Sequence, residues 1–167
     1  MLGIFSTWEV SKKVVIVAKK TVMYAGTFGL ASYFCGTVFI DRTNPKEGYK
    51  RLEATRELML NHKVKIWVYP EGTRNTHRSE SILPFKKGAF IIAVTAQVPI
   101  IPVVYSPYTF IDSSKYEFGK GYIIMHCLEP IPTSGLTIED VPVLTNRVRD
   151  VMVEAYEKLS TEVSVDE

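Results

Sequence analysis

A short apolar strand that stops on a proline and runs into four polar residues restricts the folds open to this chain more than any other stretch. The run is Val64-Lys65-Ile66-Trp67-Val68-Tyr69-Pro70-Glu71-Gly72-Thr73-Arg74. Ile66–Tyr69 is β-branched and aromatic, which reads as a short buried strand. Pro70 has no N–H to give a ladder and ends it. Glu71–Arg74 then falls at the strand's C-terminal end, the edge where open α/β sheets take their ligands. Arg74 brings a planar fork that fits a phosphate, Thr73 a hydroxyl donor, and Gly72 a backbone that a ligand can approach closely. The same four residues also fit an ordinary polar strand-end loop with an Arg–Glu surface pair.

Strand and helix patterns alternate along the rest of the chain. Val14–Val17 reads as a strand. Thr21–Ile40 is twenty residues without a charge, bounded by Lys19-Lys20 and Asp41-Arg42. That length suffices to span a bilayer. Gly26, Gly29, Gly36, Ser32 and the threonines dilute its hydropathy, and a span would carry the Arg42 loop away from the Arg74 loop. A helix over Met23–Tyr33 followed by a strand over Thr37–Ile40 is the preferred reading. Helix Pro45–Leu60 has a start signal in Asn44 as N-cap, Pro45 at the first position and Glu47 three after the cap. Lys86-Lys87-Gly88 opens a helix to about Gln97. Strands Ile100–Tyr105 and Tyr122–Leu128 flank a polar loop, Pro107–Lys120. The last helix, Val141–Leu159, puts Leu144, Val148, Val151, Met152, Ala155, Tyr156 and Leu159 on one face. This order predicts one α/β domain over residues 1–159, a sandwich with a largely parallel sheet flanked by helices. Residues 160–167 read as an acidic, frayed tail.

Two more segments join the first. Gly36-Thr37-Val38-Phe39-Ile40-Asp41-Arg42 is an apolar strand ending in a charged pair, and Val98-Pro99-Ile100-Ile101-Pro102-Val103-Val104 is a strand interrupted by two prolines. In this order and spacing, G-x-x-F-I-D-R, E-G-T-R and V-P-I-I-P resemble three of the four sequence blocks of the glycerolipid acyltransferases, most closely the 1-acylglycerol-3-phosphate (lysophosphatidic acid) acyltransferases. The resemblance implies acyl transfer from acyl-coenzyme A, a co-substrate rather than a cofactor, to lysophosphatidic acid. It also implies phosphatidic acid as product and a place at the endoplasmic reticulum membrane, cytosolic or membrane-peripheral for this segment. It sets Glu71, Gly72, Thr73 and Arg74 at the phosphate end of the site, with Arg42 nearby. Glu71 would repel a phosphate, so its expected task is to orient Arg74 or accept a glycerol hydroxyl. Lys86 and Lys87 stand at the start of a helix whose free N–H groups add partial positive charge. Pro99, Ile100, Ile101 and Pro102 are expected to serve as acyl-channel wall or core, on an edge strand that the prolines keep from regular pairing. The plainer readings stand beside these: Arg42 pairing with Asp41, the lysines as a solvated corner, and Val98–Val104 as a simple edge strand.

The family's first block, N-H-x-x-x-x-D, is missing. Its histidine is taken to deprotonate the acceptor hydroxyl and its aspartate to orient that histidine. The histidines here are His62, His77 and His126, and five residues on stand Trp67, Ile82 and Ile131. No catalytic residue is therefore assigned, and the sequence reads as beginning just after that block. Activity of the chain alone is doubtful. A non-catalytic isoform that binds lysophospholipid or membrane, or a full-length partner, is the alternative. His77 lacks a spaced carboxylate and reads as a surface residue, His62 as a helix-end residue, and His126 as a core histidine.

Composition bounds the partners. The 167 residues suit one domain, with 46% hydrophobic and 23% charged residues. Net charge is +2, but residues 1–90 carry 15 Lys+Arg against 7 Asp+Glu, and residues 91–167 carry 5 against 11. A basic half holding Arg42 and Arg74 favours an anionic ligand or an anionic lipid surface. Its lysines lack interleaved aromatics or a nucleic-acid motif, so nucleic acid is not expected. Histidines and cysteines show no metal-ligand spacing, and no metal is expected. Cys35 and Cys127 lie in apolar runs and read as buried free thiols.

Overall fold

The computed structural model describes residues 13–40, 54–57, 59–73, 75, 81–107, 110–112 and 117–165. The first strand, β1 (Val14–Lys19), is the centre of a three-stranded parallel sheet, flanked by β2 (Val38–Ile40) and β3 (Lys65–Trp67). Register sets Lys19 beside Ile40 and Ile16 beside Trp67. Because the strands are parallel, β1, β2 and β3 end at the same edge of the sheet. That edge is where a ligand site is expected in such a sheet.

Between β1 and β2 the chain forms a 3-10 turn, Lys20–Tyr24, and a nine-residue helix, α1 (Gly26–Phe34). The break falls at Gly26, whose φ is +56°. The turn folds back so tightly on α1 that the Met23 carbonyl lies where a Cβ on Gly29 would be, so only glycine fits there. The uncharged stretch Thr21–Ile40 is thus divided into turn, helix and strand, close to the expected helix and strand. No helix among the described residues is long and apolar enough to cross a membrane. Residues 54–57 and 59–62 are helical, at the end of the expected Pro45–Leu60 helix. Its start signal, Asn44 to Glu47, lies outside the described residues.

The second half is built around two helices, α2 (Gly88–Ala96) and α3 (Val141–Val165). Phe90 and Val94 of α2 meet Val141, Leu144 and Val148 of α3 and Ile131 in one buried cluster. Phe85 stacks on Phe90 at 6.1 Å. At the C-terminus of α2, Gln97 adopts the left-handed conformation. Its side chain donates to the carbonyls of Val94 and Leu136 and accepts the Gly135 N–H. Thr133 is buried and donates to the Val98 and Ala93 carbonyls. These bonds satisfy the carbonyls that a helix end exposes.

Four expectations are corrected. First, β4 (Val103–Tyr105) pairs antiparallel with β7 (Met125–Cys127) in a sheet of its own, so the parallel order does not extend to the second half. Residues 106–124 contain no described helix to make the crossover that a parallel pair requires. Second, the polar loop Pro107–Lys120 contains a short hairpin, β5 (Ile111–Asp112) and β6 (Glu117–Phe118). Third, α3 runs through the expected tail to Val165, because Leu159 and Val163 continue the buried stripe at helical spacing. Fourth, Cys35 and Cys127 are free but exposed, and His126 is exposed too, since two-stranded β4–β7 leaves part of β7 open to solvent.

Candidate anion site at the sheet edge

After β3 the backbone closes a turn in which the Gly72 N–H donates to the Tyr69 carbonyl at 3.1 Å, with Gly72 at φ +70°. A side chain at that φ would be strained, which explains glycine between two polar residues. Glu71 and Gly72 are half-buried and Thr73 is exposed. The carboxylate of Glu71 accepts the Leu83 N–H at 3.0 Å. The neighbouring Pro70 carbonyl accepts the Lys86 N–H at 2.7 Å. The turn and the segment 82–86 are therefore stitched together at two points.

That segment is held from its other side by Arg149 of α3. Its Nη2 donates to the Ile82 carbonyl at 2.7 Å, and its Nε points to the Leu83 carbonyl at 3.4 Å. Leu83 thus gives its N–H to a carboxylate and presents its carbonyl to a guanidinium. A charged group on one side of a hydrogen bond roughly doubles its strength. Lys86 and Lys87 follow directly, both exposed, and Lys87 precedes the first turn of α2. The first amides of that helix have no intrahelical acceptor and carry partial positive charge.

The segment expected as acyl-channel wall or core, Pro99 to Pro102, bonds to the 128–131 segment. Ile100 exchanges both backbone hydrogen bonds with Ile131, and the Pro102 carbonyl accepts the Leu128 N–H. Pro102 is buried, while Pro99 and Ile101 are exposed. Its continuation, β4, ends on Tyr105, whose phenol is near enough to Tyr69 and Cys127 for their charges to act on it. Burial, then those two neighbours, push the Tyr105 phenol up to about 12. Its hydroxyl is buried without a hydrogen-bond partner among the described residues. Burial also raises the Tyr69 phenol, against the pull of a hydrogen bond with Trp67, whose ring meets Tyr69 edge-on at 6.4 Å.

Of the expected site residues, Glu71, Gly72 and Thr73 form one turn, and the hydrogen bonds from Leu83 and Lys86 bring the backbone before Lys87 against it. Arg42 and Arg74 lie outside the described residues, as does His77. Among the described residues no group of three or more His, Cys, Asp or Glu stands together in a way that would hold a metal. Sequence reasoning missed Arg149 and Tyr105. The one signal for Arg149 is its position four residues after buried Thr145 and beside buried Val148, on the edge of the apolar stripe of α3.

Comparison with known proteins gives the family. A family model described as Acyltransferase matches residues 1–106. The chain is similar to human 1-acyl-sn-glycerol-3-phosphate acyltransferase alpha, with 42% identity over 87% of this chain and 51% of the relative. It is 40% identical to the human beta enzyme over 91% of this chain and 54% of the relative. Identity to the 1-acyl-sn-glycerol-3-phosphate acyltransferase of Saccharomyces cerevisiae is 35%, over 91% of this chain and 50% of that protein. The chain spans about half the length of these curated relatives. No solved structure matches.

Proposed function

The chain belongs to the acyltransferase family, and from that premise we propose that the protein transfers an acyl group from acyl-coenzyme A to the free hydroxyl of 1-acylglycerol 3-phosphate, giving phosphatidic acid for phospholipid synthesis. The relatives' names carry the acceptor, a lysophosphatidic acid. The observation that supports this chain's part is the stitched turn: Glu71 and Pro70 tie the segment leading to Lys86 and Lys87 against the loop that ends in Arg74.

In this reading the acceptor's phosphate is held by Arg74, with Arg42, Thr73 and the amides and lysines at the start of α2 adding positive field. Glu71 acts through the backbone: its carboxylate fixes Leu83 and so the approach of α2. The chemistry is a direct displacement. The acceptor oxygen attacks the thioester carbonyl, its proton passes to a general base, the carbon–sulfur bond breaks, and the coenzyme A thiolate leaves and is protonated. The base and its orienting carboxylate would be a histidine and an aspartate spaced five apart, a pattern that this sequence does not contain. In this reading the 167 residues supply acceptor binding, and the polypeptide by itself turns over acyl-coenzyme A far more slowly than a chain that holds the histidine and aspartate. Work at the endoplasmic reticulum membrane follows from lipid substrates and is part of the proposal.

Two measurements test it. The purified chain, given acyl-coenzyme A and lysophosphatidic acid, is expected to show activity ~10²–10⁴-fold or more below that of a full-length relative, the usual cost of losing a general base. Turnover near the relative's rate would sink the division of labour. Changing Arg74 to Ala is expected to weaken lysophosphatidic acid binding by about 1.5–3 kcal/mol while leaving a neutral lysolipid's binding unchanged. Equal losses for both lipids would make Arg74 structural.

A further inference from the structure

The least explained surface lies between β1 and β2. Met23, Tyr24, Phe28, Leu30, Tyr33 and Phe34 are exposed, from 42% for Met23 to 78% for Phe34. Within α1 itself, Gly29 alone is buried. A helix that is apolar nearly all round belongs in a core or a lipid phase, and contiguous apolar surface of this kind marks an interaction site. The helix is too short to span a bilayer: nine residues at 1.5 Å each reach less than half of a ~30 Å hydrocarbon core.

We propose that α1 and the 3-10 turn before it lie in the interface of an anionic bilayer, with their exposed aromatic and aliphatic side chains in the headgroup–acyl boundary. Three observations select this occupant. Residues 13–40 contain three lysines, Lys13, Lys19 and Lys20, and no carboxylate, so the charge that this stretch itself carries is cationic. Lys19 and Lys20 sit where the apolar run begins, and a basic residue beside the surface of a negatively charged leaflet is attracted to it. Tyr24 and Tyr33 are amphipathic rings of the kind that collect at headgroup level. The placement also suits the proposed reaction, on which this inference partly rests. The turn starts at the C-terminal end of β1, and parallel β2 and β3 end at that same edge. A bilayer touching α1 would present a lysophospholipid's headgroup beside the loop of Glu71 to Arg74.

The test is flotation of the purified 167-residue chain with vesicles of phosphatidylcholine alone or with phosphatidylserine added, with no lysophosphatidic acid or acyl-coenzyme A present. A failure here therefore leaves acyl transfer untouched, and a failed acyl-transfer assay leaves this result untouched. The triple change Phe28→Ser, Tyr33→Ser, Phe34→Ser is expected to lower the bound fraction on both vesicles by about tenfold or more, since interfacial binding scales with buried apolar area. Lys19→Gln with Lys20→Gln should lower binding to the serine-containing vesicles alone, by about fivefold per lysine, and flatten its decline with salt. Val143→Ser, at an equally exposed apolar residue of α3, should change neither. Far-UV circular dichroism of each variant reports whether the fold is kept. The proposal is overturned if the parent chain does not float, or if the folded triple variant floats as well as the parent. It is equally overturned if the triple change converts a dimer to a monomer without affecting flotation, which would assign the face to a second copy of the chain.

Discussion

The two halves of this molecule use apolar residues in opposite ways. From Ile82 to Val163 the chain buries thirteen hydrophobic side chains, six of them in the cluster where α2, α3 and Ile131 meet. From residue 13 to 73 the described residues bury one, Phe39, although the stretch holds 17 Val, Ile, Phe and Tyr residues. The first half leaves its apolar residues on the surface of α1 and supplies the loop and the positive charge. The second half is a scaffold that holds the loop in place through Arg149. Stability and candidate function are thus assigned to different stretches of one chain, and the join between them is a few hydrogen bonds around Leu83.

The sharpest way to break that contrast is to remove matched side chains from the two halves. Leu159 is 1% exposed and Leu30 is 58% exposed. Leu159→Ala is expected to cost about 2–5 kcal/mol, the range for truncating a core leucine. Leu30→Ala should stay within about 0.5 kcal/mol. Urea unfolding followed by circular dichroism reads both. Comparable losses would mean that α1 is covered by protein and that the halves do not differ as described.

A smaller effect tests the join. Arg149→Ala removes the donors to the Ile82 and Leu83 carbonyls and is expected to cost about 1.5–3 kcal/mol, as for a hydrogen bond from a charged group. Glu71→Gln keeps the shape but weakens the acceptor for the Leu83 N–H. Because both side chains hold the same residue, their effects should not add, with an interaction of about 0.5 kcal/mol or more in a double-mutant cycle. Strict additivity in urea unfolding would show that Arg149 and Glu71 stabilise independent structures.

The difference between the halves also explains what the sequence disclosed. The turn at Gly72 was legible because it is a local steric matter, a glycine at positive φ. Strand β3 was legible in place but not in extent, since it covers Lys65–Trp67 and ends before Pro70, leaving Tyr69 outside the strand and exposed. The face of α3 was legible because periodicity over about five turns is hard to mistake, although Val151 on it is exposed and the helix end was placed too early. Acidic residues after Leu159 look like a tail, yet Val163, one turn on, is buried and extends the helix. The antiparallel pairing of β4 with β7 was not legible, because strand direction depends on the connection and the hairpin inside residues 107–120 carries little pattern. Exposure of Cys127 and His126 follows from a sheet of two strands, and strand number is not written in the local sequence. Arg149 was invisible for a similar reason: its partners are backbone carbonyls 66 and 67 residues away, which no motif encodes.

The smallest effect lies where the halves meet a second time, at Tyr69 and Tyr105. The Tyr105 phenol is raised to about 12 by burial and by its neighbours Tyr69 and Cys127, against an ordinary 10.0. The folded chain therefore holds that proton more tightly than the unfolded chain. What this contributes to stability is complete below pH 10 and is lost as pH rises from 10 toward about 12. Tyr105→Phe has no proton to lose, so its stability should fall less than the parent's across that window. Its ring is only half-buried, so the difference should be within about 1 kcal/mol, not the ~2.7 kcal/mol that two full units would imply. Near pH 7 the phenylalanine variant should match the parent or exceed it slightly, because it removes a buried hydroxyl that has no partner among the described residues. Urea midpoints at pH 7, 10 and 11.5 measure both effects. Parallel decline of the two proteins would show that Tyr105 faces water, and that the end of β4 does not close over the start of the Glu71 loop.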